Sequence, residues 1–500
     1  MADFRYCTWS VIVLLGSQLA AAPRLRYVIH PTPDSAQMQF EMEAEGEGAS
    51  RGTTVAGATT PLKSGAFQEP RMSSQYFYIL GNRNFPLPNC PDTRAVRCEI
   101  RWVGFPPSWL IVNSYGVAHR VQRFSTTMAD LRKAVFVGGD FRIQPVSQAA
   151  PGLRLVTRGR WHFPDESVTK LLDRLYRADF AIWRDGGLKD HFVWMLPTPD
   201  SGPHEGENRT HGLIFYGGEE TEDIRDFAFL LSHELFHARN PHRLTPPDFD
   251  ERLYWFTEGV TDFYAAVTLL RTGIWGFEQF VSKFNAVSRE YYDSPKRNLT
   301  ADEMVVQRRT NLAAERLPYQ QGFLLSANWN LRIRERSHGA QSLDSALRQL
   351  KSTSRRVLSN DRIERALAAA GVPETGTEIE KSILRGETIS LVPNALGNCA
   401  TETFAAAGFD IGFDYEKSSK ANRVMNVKPD SPAYDAGMRE GQSLLSRDLV
   451  LGDPGYQARL EISDERGRRW ISFYPISRNR ASIPQFRLDK TGESCTELFR

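Results

Sequence analysis

The stretch that decides the fold runs from Thr221 to Arg239: T-E-D-I-R-D-F-A-F-L-L-S-H-E-L-F-H-A-R. Ile224, Phe227, Leu230, Leu231 and Leu235 lie on or beside one stripe at helical spacing, and Thr221 can cap the first turn. Within it sits His233-Glu234-Leu235-Phe236-His237. Side chains four apart on a helix are about 40° apart around the axis and ~6 Å apart along it, so the two imidazoles can converge on one ion. A catalytic zinc needs a third protein ligand and an open fourth position. Glu258 supplies the candidate. It lies early in a second predicted helix, Leu253–Thr272, within Trp255-Phe256-Thr257-Glu258-Gly259-Val260-Thr261-Asp262. A Pro-rich link, Asn240–Asp250, can turn the second helix back antiparallel to the first, and Gly273 stops it. Glu234, next to the first imidazole, faces the open position as a base. With 10 His among 500 residues, a chance match to this five-residue pattern arises in roughly one such chain in a hundred. That weighs against a solvated helix face that happens to carry two histidines. Asp262, one turn beyond Glu258, either accepts a hydrogen bond from the free nitrogen of His233 or is an exposed surface acid.

The rest of the composition narrows the setting. Five hundred residues exceed one hydrophobic core and suggest about three domains. With 41% hydrophobic, 11% aromatic and 24% charged residues, the chain is neither disordered, nor collagen-like, nor a multi-span membrane protein. Lys plus Arg total 62 and Asp plus Glu 60, a formal net charge of +2. So even a balance gives no general pull toward nucleic acid or anionic lipid. Residues 1–22 read as a secretory signal peptide: Arg5, the apolar run Cys7–Leu15, then Ala20-Ala21-Ala22 as a cleavage site. The alternative is a buried N-terminal helix. The run is too short to span a membrane, so the expectation is a secreted or periplasmic protein with no transmembrane anchor after signal removal. Four cysteines then remain. Of three possible pairings, the near-neighbour solution is Cys90–Cys98 with Cys399–Cys495; four free thiols are the alternative.

Texture divides the chain into blocks. Residues 23–158 alternate as short strands between Gly and Pro clusters, with Glu45–Gly65 reading as loops. Residues 159–395 are α-rich, beginning with Asp165–Trp183, which Asp165 can cap, and including strands at Phe192–Leu196 and Leu213–Tyr216. Helices continue through Tyr319–Glu335 and Ser342–Leu350. Short strands return in residues 396–500, which Cys399 and Cys495 bracket almost end to end.

These motifs carry a resemblance. The metal pattern, the Asn240 and Arg243-Leu244 that follow it, and the Trp255–Thr261 run are similar to the glycyl aminopeptidase family of zinc metallopeptidases, thermolysin-like enzymes whose third ligand is Glu. The resemblance implies an α+β multidomain fold: an N-terminal β domain, an α-rich thermolysin-like peptidase domain and a C-terminal PDZ-like domain. It implies one zinc per chain on His233, His237 and Glu258, with Glu234 as general base. It also gives Tyr319, in Pro318-Tyr319-Gln320-Gln321-Gly322, the role of hydrogen-bond donor to the tetrahedral intermediate. In this family a Gly-Gly-Leu-Glu-His strand precedes the metal helix, and its Glu resembles the one that binds the substrate's free amine in related aminopeptidases. The best match here is His211-Gly212-Leu213-Ile214-Phe215, which puts Ile214 where Glu belongs and leaves Glu219 or Glu220 as substitutes. On that alignment, substrates with blocked N-termini should be tolerated.

The C-terminal block, with Gly408–Phe413 and the run Ser431-Pro432-Ala433-Tyr434-Asp435-Ala436-Gly437 ending at Gly441, resembles a PDZ domain. It either binds a peptide ligand by strand addition or is a structural cap. The expected function is an exported zinc peptidase acting on peptides or proteins, with no nucleic-acid partner. Its rivals are an inactive peptide-binding scaffold and a zinc hydrolase of a non-peptide bond.

Overall fold

The structure, a computed structural model, describes residues 22–31, 38–45, 50–56, 71–83, 85–148, 150–184, 188, 190–198, 204–240, 250–352, 357–405, 408–451, 454–477, 483–489 and 493–499. Residues 1–21 of the signal-peptide segment, Arg243 and Leu244 lie outside them. The chain forms two compact units, Met1–Asp140 and Phe141–Arg500.

The first unit is built of β1 (Arg24–Pro31), β2 (Met38–Glu45), β3 (Ser50–Ala56), β4 (Arg71–Met72), β5 (Tyr76–Leu80), β6 (Ala95–Trp102), β7 (Leu110–Asn113), β8 (Gly116–Val117), β9 (Val121–Thr127) and β10 (Val135–Gly139), with one short helix, α1 (Met128–Arg132). They form two five-stranded sheets, β3-β2-β1-β6-β9 and β4-β5-β10-β7-β8. Alternation sets the core. Met38, Phe40, Met42 and Ala44 of β2 and Val96, Cys98, Ile100 and Trp102 of β6 point inward and pack together with Phe77 and Phe136. β3 falls inside the Gly- and Ser-rich stretch expected to be loop; pairing with β2 supplies what its sequence does not. The expected Cys90–Cys98 disulfide is absent: both are free thiols. Cys98 is an inward residue of β6, packed in the core, and burial pushes its thiol up to about 12.

The second unit begins earlier than the change of texture at 158 suggests. β11 (Arg142–Ser147) and β12 (Ala150–Thr157) join β13 (His191–Thr198), β14 (Glu205–Arg209) and β15 (Gly212–Gly218) in one sheet, order β11-β12-β13-β15-β14. β12, β13 and β15 are parallel, and β14 folds back antiparallel on β15 as the edge strand. Amphipathic α2 (Asp165–Trp183) and α3 (Ala228–Phe236) cover one face through Leu172, Leu175, Leu231 and Leu235, which pack on Leu155, Val193, Met195, Leu213 and Phe215. Asp165 is the first helical residue of α2 rather than its cap; Arg142 holds its carboxylate at 2.7 and 2.9 Å.

A larger helical core follows, from α4 (Val260–Arg271), α5 (Phe277–Asp293), α6 (Ala301–Gln307), α7 (Leu312–Arg336), α8 (Leu343–Ser352) and α9 (Asn360–Ala369). Gly273, at φ +65°, ends α4 as expected. α7 starts two turns before Tyr319, capped by Asn311, and carries Pro318 inside. Pro318 misled the sequence reading because proline favours a helix's first turn.

The last hundred residues are not a single block. β16 (Ala400–Ala405) pairs with the C-terminal Ile483–Leu488 strand. That pair is docked on α5, where the Asn285 amide donates to the Phe486 carbonyl (2.8 Å), the Ser288 hydroxyl to the Pro484 carbonyl (2.6 Å), and Phe486 enters the helical core. The Cys399–Cys495 disulfide forms, with Cα atoms 5.6 Å apart. Between these strands, β17 (Ser443–Asp448), β18 (Ala458–Asp464) and β19 (Gly467–Phe473) make a three-stranded sheet with its own core of Val424, Met438, Leu460 and Ile462. A short helix, Pro432–Asp435, is capped by Ser431. Among the described residues, no helix is long and apolar enough to cross a membrane.

Candidate metal centre

The expected helix Thr221–Arg239 forms in two parts. A 3-10 turn, Ile224–Phe227, capped by Asp223 rather than Thr221, leads into α3. α3 is buried nearly all round, because it lies between the sheet and α4. His233 is in its last turn and His237 at its C-cap. Glu258 comes from Trp255–Gly259, a π-helical turn that leads into α4; such turns recur at functional sites. This turn touches α7 backbone to backbone. A Cβ on Gly322 would fall 1.8 Å from the Trp255 carbonyl oxygen, and one on Gly259 would fall 2.4 Å from that of Pro318. Only glycine permits this approach, and it carries Tyr319 to Glu258.

The three expected ligands meet. His233 Nε2 and His237 Nε2 are 2.9 Å apart, and Glu258 Oε2 lies 3.4 and 3.2 Å from them. Zinc with bonds of about 2.0–2.2 Å to four tetrahedral ligands places those atoms roughly 3.4 Å from one another. The other ring nitrogens are committed. His233 Nδ1 pairs with Asp262 Oδ1 at 2.8 Å, and His237 Nδ1 with the backbone carbonyl of Asn240 at 2.7 Å. Both acceptors call for an Nδ1–H, so each Nε2 keeps its lone pair toward the shared point. Asn240 also ties α3 to the next segment: its amide donates to the Phe256 carbonyl (3.2 Å) and the Thr261 hydroxyl (3.1 Å).

The charges fit a cation. Burial opposes a charge on His233, yet the Asp262 and Glu258 carboxylates outweigh it and raise its basicity to about 10. Burial alone would raise Glu258; the two imidazoles override it and hold the carboxylate far below its ordinary range. Asp262 is likewise buried, yet Lys283 and His233 keep it low. Glu234 goes the other way. Burial, with Glu258 and Glu207 nearby, raises it against the pull of the histidines, and its Oε2 is buried with no hydrogen-bond partner. Tyr319 stacks on His233 at 6.2 Å and hydrogen-bonds toward Glu258. Burial and the carboxylates hold its phenol well above 10, so it remains a donor.

Ile214, aligned with the family's amine-binding Glu, does not stand at the metal centre. Ile214 lies in β15, fully buried between β13 and β14. The strand that flanks the centre is the edge strand β14. A Cβ on Gly206 would fall 2.5 Å from Glu234 Cγ. Glu205 and Glu207 flank Gly206 in sequence; burial raises Glu205, with Glu207 adding to it, and Glu207 also adds to the rise of Glu234. Buried Arg209 pairs with Glu207. Glu220 is instead exposed beside His162. Glu205–Arg209 is polar and short and shows no strand alternation, so the sequence hid it; the one signal was a Glu-rich segment just ahead of a strongly apolar strand.

Comparison with known proteins agrees with this geometry. Residues 226–321 match the family model of the M61 glycyl aminopeptidases. The chain carries a metallopeptidase domain. In fold, the metallopeptidase is similar to an aminopeptidase N family protein from Idiomarina loihiensis, with 13% identity, a TM-score of 0.66, and coverage of 95% of this chain and 99% of that one. An M1 zinc metallopeptidase from Deinococcus radiodurans, bound to a Tyr-Ser-Ala substrate, aligns with 12% identity and a TM-score of 0.48 over 75% of this chain and 95% of that one. No curated protein matches the sequence significantly.

Proposed function

We propose that the metallopeptidase is an exported, zinc-dependent aminopeptidase. The observation that carries this reading is the convergence of His233 Nε2, His237 Nε2 and Glu258 Oε2 beside the unpartnered carboxylate oxygen of Glu234. Zinc on these three ligands would supply Lewis acidity and lower the pKa of a water to about 7. Glu234, its basicity raised by burial, is placed to take a proton from an attacking water and to deliver it to the leaving amine. Tyr319 turns its phenol to the carbonyl oxygen as negative charge develops there. Asp262 and the Asn240 carbonyl hold the two imidazoles in the tautomer that presents Nε2.

The edge strand supports an exopeptidase preference. An extended substrate adds to the free edge of β14. Glu205 and Glu207, the latter paired with buried Arg209, make this edge acidic, which supports a free N-terminal ammonium binding along it. The expected tolerance of blocked N-termini rested on Ile214, which does not line the centre. Export is supported by the N-terminal apolar run and by the Cys399–Cys495 disulfide, a bond favoured in oxidising compartments. The PDZ-like reading of residues 408–477, with a peptide ligand, is supported by the Ser431-capped helix and the three-stranded sheet.

The test compares one peptide with free and acetylated N-terminus. The free form should be cleaved at least a hundredfold faster in kcat/KM, and Glu207→Gln should shrink that ratio. Equal cleavage of both forms would remove the aminopeptidase part of the reading.

A further inference from the structure

A cavity of about 470 Å³ opens beside the N-terminal end of α3. Its wall includes Phe229, Ile274 and Trp275, and its rim Asp223, Arg225, Asp226 and Gln279. Phe229 and Trp275 stack face to face, with centroids 5.6 Å apart and planes 8° apart. The Nζ of Lys283 caps the Phe229 ring at 4.1 Å. None of these groups is a metal ligand or touches Glu234.

Three observations place this cavity on the path of the substrate. Phe229 is one helical turn before His233, about 6 Å along the same stripe of α3. Lys283, over Phe229, also acts on Asp262, the partner of His233, so the cavity wall and the metal centre share a neighbour. The edge strand runs the same way: Gly206 lies against Glu234, and His204, just ahead of it, packs its ring on Phe227 at 4.4 Å and feels Asp226. With the substrate's ammonium at Glu207 and the cleaved bond at Glu234, its chain continues past Glu205 and His204 toward Asp226 and the cavity. That direction follows from the order of the residues on β14.

We infer that this cavity is the subsite for the side chain that follows the cleaved bond, and that it takes a large aromatic residue. The inference rests on the aminopeptidase reading for the direction of the substrate. The outer face of Trp275, whose inner face stacks on Phe229, offers a flat apolar wall for a further aromatic ring, and a phenol tip would reach the Asp226 and Gln279 rim. A volume of this size holds such a side chain with water to spare. Two acidic rim residues, one of them neutralised by Arg225, disfavour an acidic side chain there.

The test uses the zinc-loaded full-length Glu234→Gln protein and two peptides, Ala-Phe-amide and Ala-Gly-amide, with affinities measured by calorimetry. Ala-Phe-amide should bind about tenfold or more tighter. In Trp275→Ala on the same background that ratio should fall toward one, and Phe229→Leu, which keeps an apolar helix residue, should lower it as well. A ratio near one in the parent, or a ratio unmoved by both substitutions, overturns the inference. Hydrolysis of Ala-Phe-amide by the unsubstituted protein is a separate readout. Its absence, with the binding ratio intact and sensitive to Trp275, sinks the peptidase reading and the assignment to the position after the cleaved bond, while the aromatic preference of the cavity stands.

Discussion

Gly206→Ala probes the catalytic geometry without touching a metal ligand. The new methyl would sit 2.5 Å from Glu234 Cγ and 3.0 Å from both Cδ and Oε1. Carbon atoms in contact prefer about 3.5–4.0 Å, so the Glu234 side chain has to move by about 1 Å. The strand cannot yield easily, because Gly206 is paired with Phe215 of β15 and Phe215 is locked in the core. A misplacement of ~1 Å in a reacting group costs about a hundredfold in rate, or ~2.7 kcal/mol in the barrier. Crowding also costs fold stability, about 1–3 kcal/mol, which a melting curve reads separately. The assay is kcat/KM on an alanyl peptide, with zinc per chain measured on the same sample. The expected result is full zinc content and activity down about a hundredfold, mostly in kcat. Activity within threefold of the parent, in a folded and zinc-loaded protein, would show that Glu234 is not where the base acts.

Two further outcomes follow from other residues. Asp262→Asn keeps a group near His233 Nδ1 but loses the charge that orients it, so zinc affinity should fall about 10–100-fold, measured by competition with a chelator; an unchanged affinity would leave Asp262 as packing only. Burial lifts the Cys98 thiol to about 12, so at pH 8 roughly one molecule in ten thousand carries the thiolate there. Iodoacetamide should therefore spare Cys98 in the native protein and modify it only as the pH approaches 12 or the chain unfolds, with mass spectrometry as the readout. Its absence from the alkylated pool even after unfolding without reductant would instead mean that it is oxidised.

The metal helix was legible because chemistry and periodicity coincide there: two histidines four apart, in a stripe of Ile224, Phe227, Leu231 and Leu235, admit one geometry. Glu258 and Asp262 were legible from their place one turn apart in the next helix, whereas Tyr319 was reached through the family resemblance of its Pro318–Gly322 setting. What failed to show is what depends on tertiary partners. The edge strand Glu205–Arg209 has no apolar alternation of its own, so the sequence did not show it, and attention fell on the apolar strand beside it, at Ile214. Strands Arg142–Ser147 and Ala150–Thr157 read like the β block before them and join a sheet whose other members come later in the chain. Cys98 was paired by its closeness in sequence to Cys90, although strand alternation already pointed it into the core. The C-terminal strand Ile483–Leu488 looked like part of its neighbours because the side chains that receive it, Asn285 and Ser288, are far away in sequence.

The most direct test of the central claim is metal content measured beside activity in three proteins: the parent, His237→Ala and Glu234→Gln. The parent should carry about one zinc per chain and cleave peptides with a free N-terminus. His237→Ala should lose both the zinc and the activity, because it removes one of three converging donors. Glu234→Gln should keep the zinc and lose orders of magnitude in kcat, since an amide cannot take the proton. A parent protein that stays metal-free after zinc addition, or a Glu234→Gln protein with normal turnover, would contradict the account.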